Sequence, residues 1–212
     1  MKFLNEIKKS HHRHLLEKQL LKYKHLINGK ILDIGSKTRR YDHLFQGEVV
    51  AIDINPDPKL NIIKGDLINL EFDSDSFDSV ICIEVFEQLE PDEFKVGISE
   101  IIRVLKKKGK AIITIPFFML DCRDNLRFTF VYLSNYLKQL NNINFRIIKI
   151  GNKYTAIYDA LKNSLIQRKP NILKAISLIS LILIFYLILK IFSLEKKVDL
   201  FYSGCFIICT KI

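Results

Sequence analysis

Paired cysteines, a glycine-rich turn and a hydrophobic signal core are all missing from this sequence. Its four cysteines, Cys82, Cys122, Cys205 and Cys209, form no CxxC pair, and no histidine stands at metal-ligand spacing from them. That argues against a disulfide scaffold or a metal site and leaves core thiols in a reducing compartment. The charged start of the chain carries no apolar signal segment, so secretion is not expected. The lack of GxGxxG disfavours a nicotinamide enzyme. No strip of interleaved basic and aromatic residues is available to stack bases, which argues against a nucleic-acid partner.

At 212 residues the chain fits one α/β domain with an elaboration, and 49% hydrophobic and 11% aromatic residues suit a globular fold. The net charge of +10 is unevenly placed. Residues 1–30 hold eight lysines and arginines against two acids, residues 31–150 sixteen against eighteen, and residues 151–212 nine against three. A slightly acidic centre therefore lies between basic flanks, which suit an anionic surface.

The chain is organised around residues 30–67. Ile31-Leu32-Asp33-Ile34 is an apolar run closed by Gly35, the pattern of a buried parallel strand entering a tight turn. Val49-Val50-Ala51-Ile52 repeats it and ends on Asp53, followed by Ile54. An acid at that position, about twenty residues past the first turn, is how doubly wound folds hold ribose hydroxyls. A third strand, Leu60 to Lys64, closes on Gly65-Asp66-Leu67. The segment from Ser36 to Phe45 is expected to start a helix with its N-terminal amides toward a ligand.

A basic helix is expected over residues 3–27, within an N-terminal element of residues 1–29, with Leu4, Ile7, His11, Leu15, Tyr23 and Leu26 on one face. His11, His12 and His14 lack metal-ligand spacing and read as a solvated or phosphate-facing basic face. Further on, Asp78 to Ile83 reads as a fourth strand. Pro91 to Leu105 reads as an amphipathic helix, ended by Lys106-Lys107-Lys108-Gly109 with cations on its C-terminus and a glycine stop. Lys110 to Pro116 is the fifth strand.

Asp33-Ile34-Gly35, Asp53, Gly65-Asp66, residues 77–89 (FDSVICIEVFEQL) and residues 100–117 (EIIRVLKKKGKAIITIPF) together resemble the class I S-adenosylmethionine-dependent methyltransferases. More narrowly, they resemble the small bacterial kind found among surface-polysaccharide or lipid-glycan genes. Asp124-x-x-Arg127-Phe128-Thr129, before a helix at Val131–Leu140, is similar to an element of that family after its fifth strand. Phe145–Ile150 and Phe201–Thr210 resemble the sixth strand and the antiparallel seventh.

The resemblance implies an α/β, doubly wound, mostly parallel seven-stranded sheet over residues 30–212, with S-adenosyl-L-methionine as cofactor. It implies that Asp53 binds the ribose, that Asp66 and Leu67 meet the adenine, and that Asp33, Gly35 and Ser36 meet the amino-acid end. Ile54, Cys82 and Ile83 would complete the pocket. Two departures stand out: Gly35-Ser36-Lys37-Thr38-Arg39 replaces a turn of two or three glycines, and Phe86-Glu87-Gln88 replaces a Leu-Glu-His. Glu87, Asp124 and Arg127 are candidate catalytic residues, with Glu84 a further acid. Asp124 with Arg127 reads equally as a structural ion pair.

An insertion is expected at about residues 153–197, between strands six and seven. Thr155 to Gln167 is amphipathic, and Arg168-Lys169-Pro170 breaks it. Ala175 to Leu189 then has no charge. At ~1.5 Å per residue this run is shorter than the ~30 Å hydrocarbon core. Extending it to Ile172–Leu194 takes in Lys174 and Lys190, which can snorkel. The chain must return to pair its last strand, so a single crossing is disfavoured. The expectation is a membrane-embedded helix lying near the surface, or a hydrophobic protein interface, with plain core burial as the alternative. It puts the protein in the cytoplasm, peripheral or monotopic on the inner face of the membrane, with the insertion on the cofactor side.

The leading expectation is O-methylation of a lipid-linked or polysaccharide-precursor acceptor at the membrane surface. The alternatives are a non-catalytic cofactor-binding or scaffold protein and an RNA methyltransferase. No pattern in the chain indicates an oligomeric state.

Overall fold

The computed structural model describes residues 9–118, 124–167, 172–194 and 201–212. The chain divides into two compact units. One comprises Gln19–Pro116, Arg123–Ile148 and Cys205–Ile212, and the other Met1–Lys18, Phe117–Cys122 and Lys149–Gly204.

Seven strands form one sheet: β1 (Asn28–Ile34), β2 (Gln46–Asp53), β3 (Ile62–Lys64), β4 (Phe77–Ile83), β5 (Leu105–Pro116), β6 (Ile143–Ile150) and β7 (Gly204–Lys211), in the order β3-β2-β1-β4-β5-β7-β6. Pairing is parallel from β3 across to β5, with Asp33 opposite Ala51 and Ile81, and Cys82 opposite Ile34 and Ile113. β7 runs antiparallel to β6: the Ile212 amide donates to the Asn142 carbonyl at one end, and the Ser203 amide to the Ile150 carbonyl at the other. The expected α/β sheet with an antiparallel last strand is therefore present. Ile31 to Ile34, Val80 to Cys82 and Ala111 to Ile113 are buried, which explains why these strands read as continuous apolar runs rather than alternating ones.

Two expected local structures do not form. No α-helix follows β1, and residues 35–45 hold only a short 3-10 turn at Asp42–Leu44. Lys37 and Arg39 adopt left-handed φ angles of 51° and 50°, which no helix continues. Arg39 holds this connection in place. Its guanidinium donates to the Asp42 carboxylate at 2.6 Å and to the carbonyls of Val49, Leu60 and Asn61. Nor do Lys106–Gly109 cap a helix. Helix α2 (Glu93–Val104) stops at once into β5, whose first residues bulge between the Phe77–Leu105 and Ser79–Lys110 pairs. Lys106 there donates to Asp78 at 2.8 Å.

Helix α2 buries Phe94, Ile98, Ile101 and Ile102, and Gly97 lets it close on the loop after β3. A Cβ at Gly97 would stand 3.0 Å from Leu67 and 3.1 Å from Phe86. Helix α3 (Phe130–Lys138) starts at Thr129, whose hydroxyl accepts from the Tyr132 amide. Phe94 gathers Phe86, Phe128, Tyr132 and Tyr136, the closest ring centroid being that of Phe128 at 4.3 Å.

The second unit carries α4 (Lys153–Gln167) and α5 (Ile172–Ile191). Asn152 caps α4, its side chain accepting from the Tyr154 and Thr155 amides while the Thr155 hydroxyl accepts from the Asn152 amide. Helix α1 (His11–Tyr23) begins in this unit, where the Asp159 carboxylate accepts from the His11 and His12 amides and supplies its N-terminal cap. His11 and His12 are buried, and His12 Nδ1 lies 2.7 Å from the Ser203 hydroxyl, so the expected solvated histidine face is corrected; His14 alone is exposed. Of the expected apolar face, His11 and Tyr23 are buried, but Leu16 and Leu20 complete the buried side while Leu15 and Leu26 are only half-buried. Residues 1–8, with Leu4 and Ile7, and the Arg168-Lys169-Pro170 break lie outside the described residues.

Candidate functional site

The carboxyl ends of β1, β2, β3 and β4 lie side by side in the sheet, and each predicted cofactor residue belongs to one of them. Gly35 turns the chain out of β1 at φ +70°, and a Cβ there would stand 2.4 Å from Val85. Only glycine satisfies both the backbone angle and the space. The Gly35 and Ser36 amides both donate to the Ile52 carbonyl, at 2.9 and 3.0 Å, and the Lys37 amide donates to the Asp53 carboxylate at 3.1 Å. Turn and acid are thus locked together.

Asp53 ends β2. Its other oxygen accepts from the Asn55 amide at 2.9 Å, which orients a half-buried carboxylate that retains acceptor capacity. Ile54 beside it is exposed, as is Asp66, whose carboxylate closes its own turn by accepting from the Ile68 amide. Leu67 is buried.

Asp33, at 5% exposure, is pushed up to about 7, chiefly because burial disfavours its charge. The nearby Ser36 hydroxyl opposes that shift, the neighbouring Asp42 carboxyl adds to it, and the Arg39 charge opposes it. Asp42 was not among the sequence candidates. An acid two residues past Arg39-Arg40, three from Arg39, was the available sign. Cys82 is buried, and its thiol is driven far up by burial and by the charges of Glu87 and Asp33. Ile83 next to it is half-buried.

Glu87 sits in a 3-10 turn, Phe86–Gln88, just past β4. It is 3% exposed, and its Oε2 has no hydrogen-bond partner among the described residues. Its carboxyl pKa is pushed up to about 8, first by burial, with its own backbone amide opposing, then by the carboxylates of Glu84 and Asp124, with Arg127 opposing. The Asn125 and Leu126 amides donate to the Glu87 carbonyl, at 2.8 and 3.0 Å, so residues 124–129 are pinned to this turn. Within that segment Arg127 pairs with a nearly buried Asp124. Of the three catalytic candidates, Glu87 is the one with a buried oxygen left unsatisfied, while Asp124 and Arg127 hold each other. Gln88 is exposed. No cluster able to hold a metal ion occurs among the described residues.

The donor set fits a nucleoside cofactor: an oriented carboxylate at the second strand tip, a glycine turn at the first, and a buried leucine beside the third. Residues 32–113 match the family model of a methyltransferase domain. With the fold, that match supports an enzyme that uses S-adenosylmethionine as its cofactor.

Solved structures agree on the fold. A methyltransferase of Archaeoglobus fulgidus described as dependent on S-adenosylmethionine is 17% identical, with a TM-score of 0.61 over 99% of this chain and 98% of that one. A protein of Pyrococcus horikoshii OT3 is 24% identical, with a TM-score of 0.54 over 69% of this chain and 89% of its own. Phosphoethanolamine N-methyltransferase 2 of Haemonchus contortus, solved with S-adenosyl-L-methionine, is 16% identical with a TM-score of 0.52 over 92% of this chain and 52% of that one. No curated protein matches the sequence.

Proposed function

We propose that the chain methylates a hydroxyl group of a lipid-linked or polysaccharide-precursor acceptor at a membrane surface. The observation that carries the hydroxyl is Glu87, a buried carboxyl with one unsatisfied oxygen at the tip of β4. A hydroxyl must lose its proton as it gains a methyl group, and a carboxylate within reach takes it. The lipid context is supported by the exposed apolar side chains of α5 and by the basic flanks of the chain.

Bound S-adenosylmethionine supplies a methyl group on a sulfonium, open to in-line displacement. The protein then mainly positions the acceptor and removes its proton. Asp53 accepts from the ribose hydroxyls through charge-assisted bonds. Asp66 and Leu67 receive the adenine, Asp33, Gly35 and Ser36 the amino-acid end, and Ile54, Cys82 and Ile83 line the pocket. Asp124 and Arg127 brace the segment over Glu87.

The test is turnover of purified protein with S-adenosylmethionine and a bacterial glycolipid extract, followed by mass spectrometry of the lipids. A methylated glycolipid formed by wild type and lost in Glu87→Gln supports the reading. Methylation of amines alone overturns the hydroxyl assignment. A second reading, cofactor binding without transfer, is favoured by Gln88, which stands exposed where the resemblance would place a histidine able to act as a base. Tight binding with no product from any acceptor would establish it.

A further inference from the structure

Helix α5 is apolar along most of its length and around most of its circumference. Its charged residues are Lys174 and Lys190, and none stands between them. Leu181, Leu183, Ile184, Leu187, Ile191 and Phe192, at or just past its end, are each at least half exposed, and Tyr186 and Ile188 are more than a third exposed. Leu189 is fully buried, and Ile182 and Phe185 are half-buried, about one turn apart on the same stripe. That stripe meets α4 of the same unit, where Tyr158 stacks on Phe185 with centroids 6.3 Å apart.

At ~100° per residue, the exposed side chains cover roughly two thirds of the helix circumference. The width of this arc identifies the occupant. A helix docked in a protein groove presents one stripe of anchors at i, i+3, i+4 and i+7 and keeps a polar face outward. Between its two lysines the polar groups of helix α5 are Ser177, Ser180 and the Tyr186 hydroxyl, too few to make a polar face. A helix with so little polar surface belongs inside a core or inside hydrocarbon, and among its described side chains this one meets protein on one side, where Tyr186 as well as Phe185 faces Tyr158. On α4, Ile157 and Leu161, one turn apart, are also half exposed. Among the described residues no helix is long and apolar enough to cross a membrane. Arg168, Lys169, Lys196 and Lys197 flank α5 in the sequence, and cations so placed favour an anionic headgroup layer.

We infer that α5 is a monotopic membrane anchor. It lies immersed in one leaflet of an anionic bilayer, with the Ile182–Phe185–Leu189 stripe held by the protein and the remaining arc in acyl chains. This deepens the proposed action on a lipid-linked acceptor, although lipid binding is measured without any methyl transfer.

The experiment is flotation of the full chain with vesicles of phosphatidylcholine mixed with phosphatidylglycerol, and with pure phosphatidylcholine, at low and high salt. Wild type should float with the anionic vesicles and remain bound when salt is then raised, because apolar immersion is not screened. The Leu181→Ser/Ile184→Ser/Leu187→Ser variant removes only exposed side chains. Its partitioning should fall at least about a hundredfold, since each lost side chain weakens apolar transfer several-fold or more. Calorimetry with S-adenosylmethionine on the same samples reports folding and the methyltransferase reading separately. Complete release by salt would overturn immersion, as would a variant that floats like wild type. A wild type that stays monomeric in buffer and ignores both vesicles, or one that forms a dimer that lipid does not disperse, would overturn it too. If vesicles bind and S-adenosylmethionine does not, the anchor stands and the proposed function falls.

Discussion

Glu87→Gln tests the role of the buried acid through stability as well as activity. In the folded protein Glu87 is pushed from 4.5 to about 8, so it keeps its proton where the unfolded chain has lost it. The folded state therefore binds more protons across that window, and stability falls as pH rises through it. Each pH unit is ~1.4 kcal/mol for one group, so the full window is worth roughly 4–5 kcal/mol. Glutamine has the same shape and does not titrate. The variant should match wild type near pH 4.5 and become progressively more stable than it toward pH 8. At ~2–4 °C per kcal/mol for a chain of this size, the melting temperatures should separate by roughly 10–20 °C. The groups facing Glu87 are Glu84, Asp124, Arg127 and Cys82, and all remain in the variant. Thermal melts from pH 4.5 to 8.5 make the measurement. In parallel, kcat should drop by ~10²–10⁴ and lose its rising limb with pH. Melting curves of wild type and variant that stay parallel across this range would refute a buried, proton-holding Glu87.

In the proposed site the positive charge of S-adenosylmethionine would lie near Asp33 and Glu87, whose carboxyls burial pushes up to about 7 and about 8, so binding should release protons near neutral pH; calorimetry in buffers of different ionisation enthalpy reads the number. Gly35→Ala should destabilise the fold by ~2–5 kcal/mol, because it adds a left-handed strain of ~1–2 kcal/mol to a clash with Val85 of ~1–3 kcal/mol, as urea titration would show. Thr129→Ala removes the α3 cap and should lower stability by ~1 kcal/mol, measured the same way, with no change in cofactor affinity.

The sheet was legible because parallel strands buried on both faces leave uninterrupted apolar runs, as at Ile31–Ile34 and Val49–Ile52. Where they ended, Gly35, Asp53 and Asp66 were legible too, each standing at the end of such a run. The connection after β1 was not. Its shape depends on Arg39 reaching Leu60 and Asn61, and no local pattern shows that contact. Local helical spacing likewise misjudged α1. Its cap is Asp159, 148 residues from His11, and that bond buries two histidines whose sequence context is basic. Glu87 stood among the candidates, but no local pattern shows that the Asn125 and Leu126 amides fold onto its carbonyl or that its side chain is buried. The apolar run of α5 was plain in the sequence, whereas its exposure required the fold.

Isothermal titration of wild type and Asp53→Ala with S-adenosylmethionine tests the cofactor site most directly. Wild type should bind one equivalent. Loss of the charge-assisted bonds at Asp53, typically ~1.5–3 kcal/mol, should weaken binding about 10- to 150-fold in a variant that melts normally. A folded wild type that takes up no S-adenosylmethionine, or an Asp53→Ala variant that binds it equally well, would contradict the account.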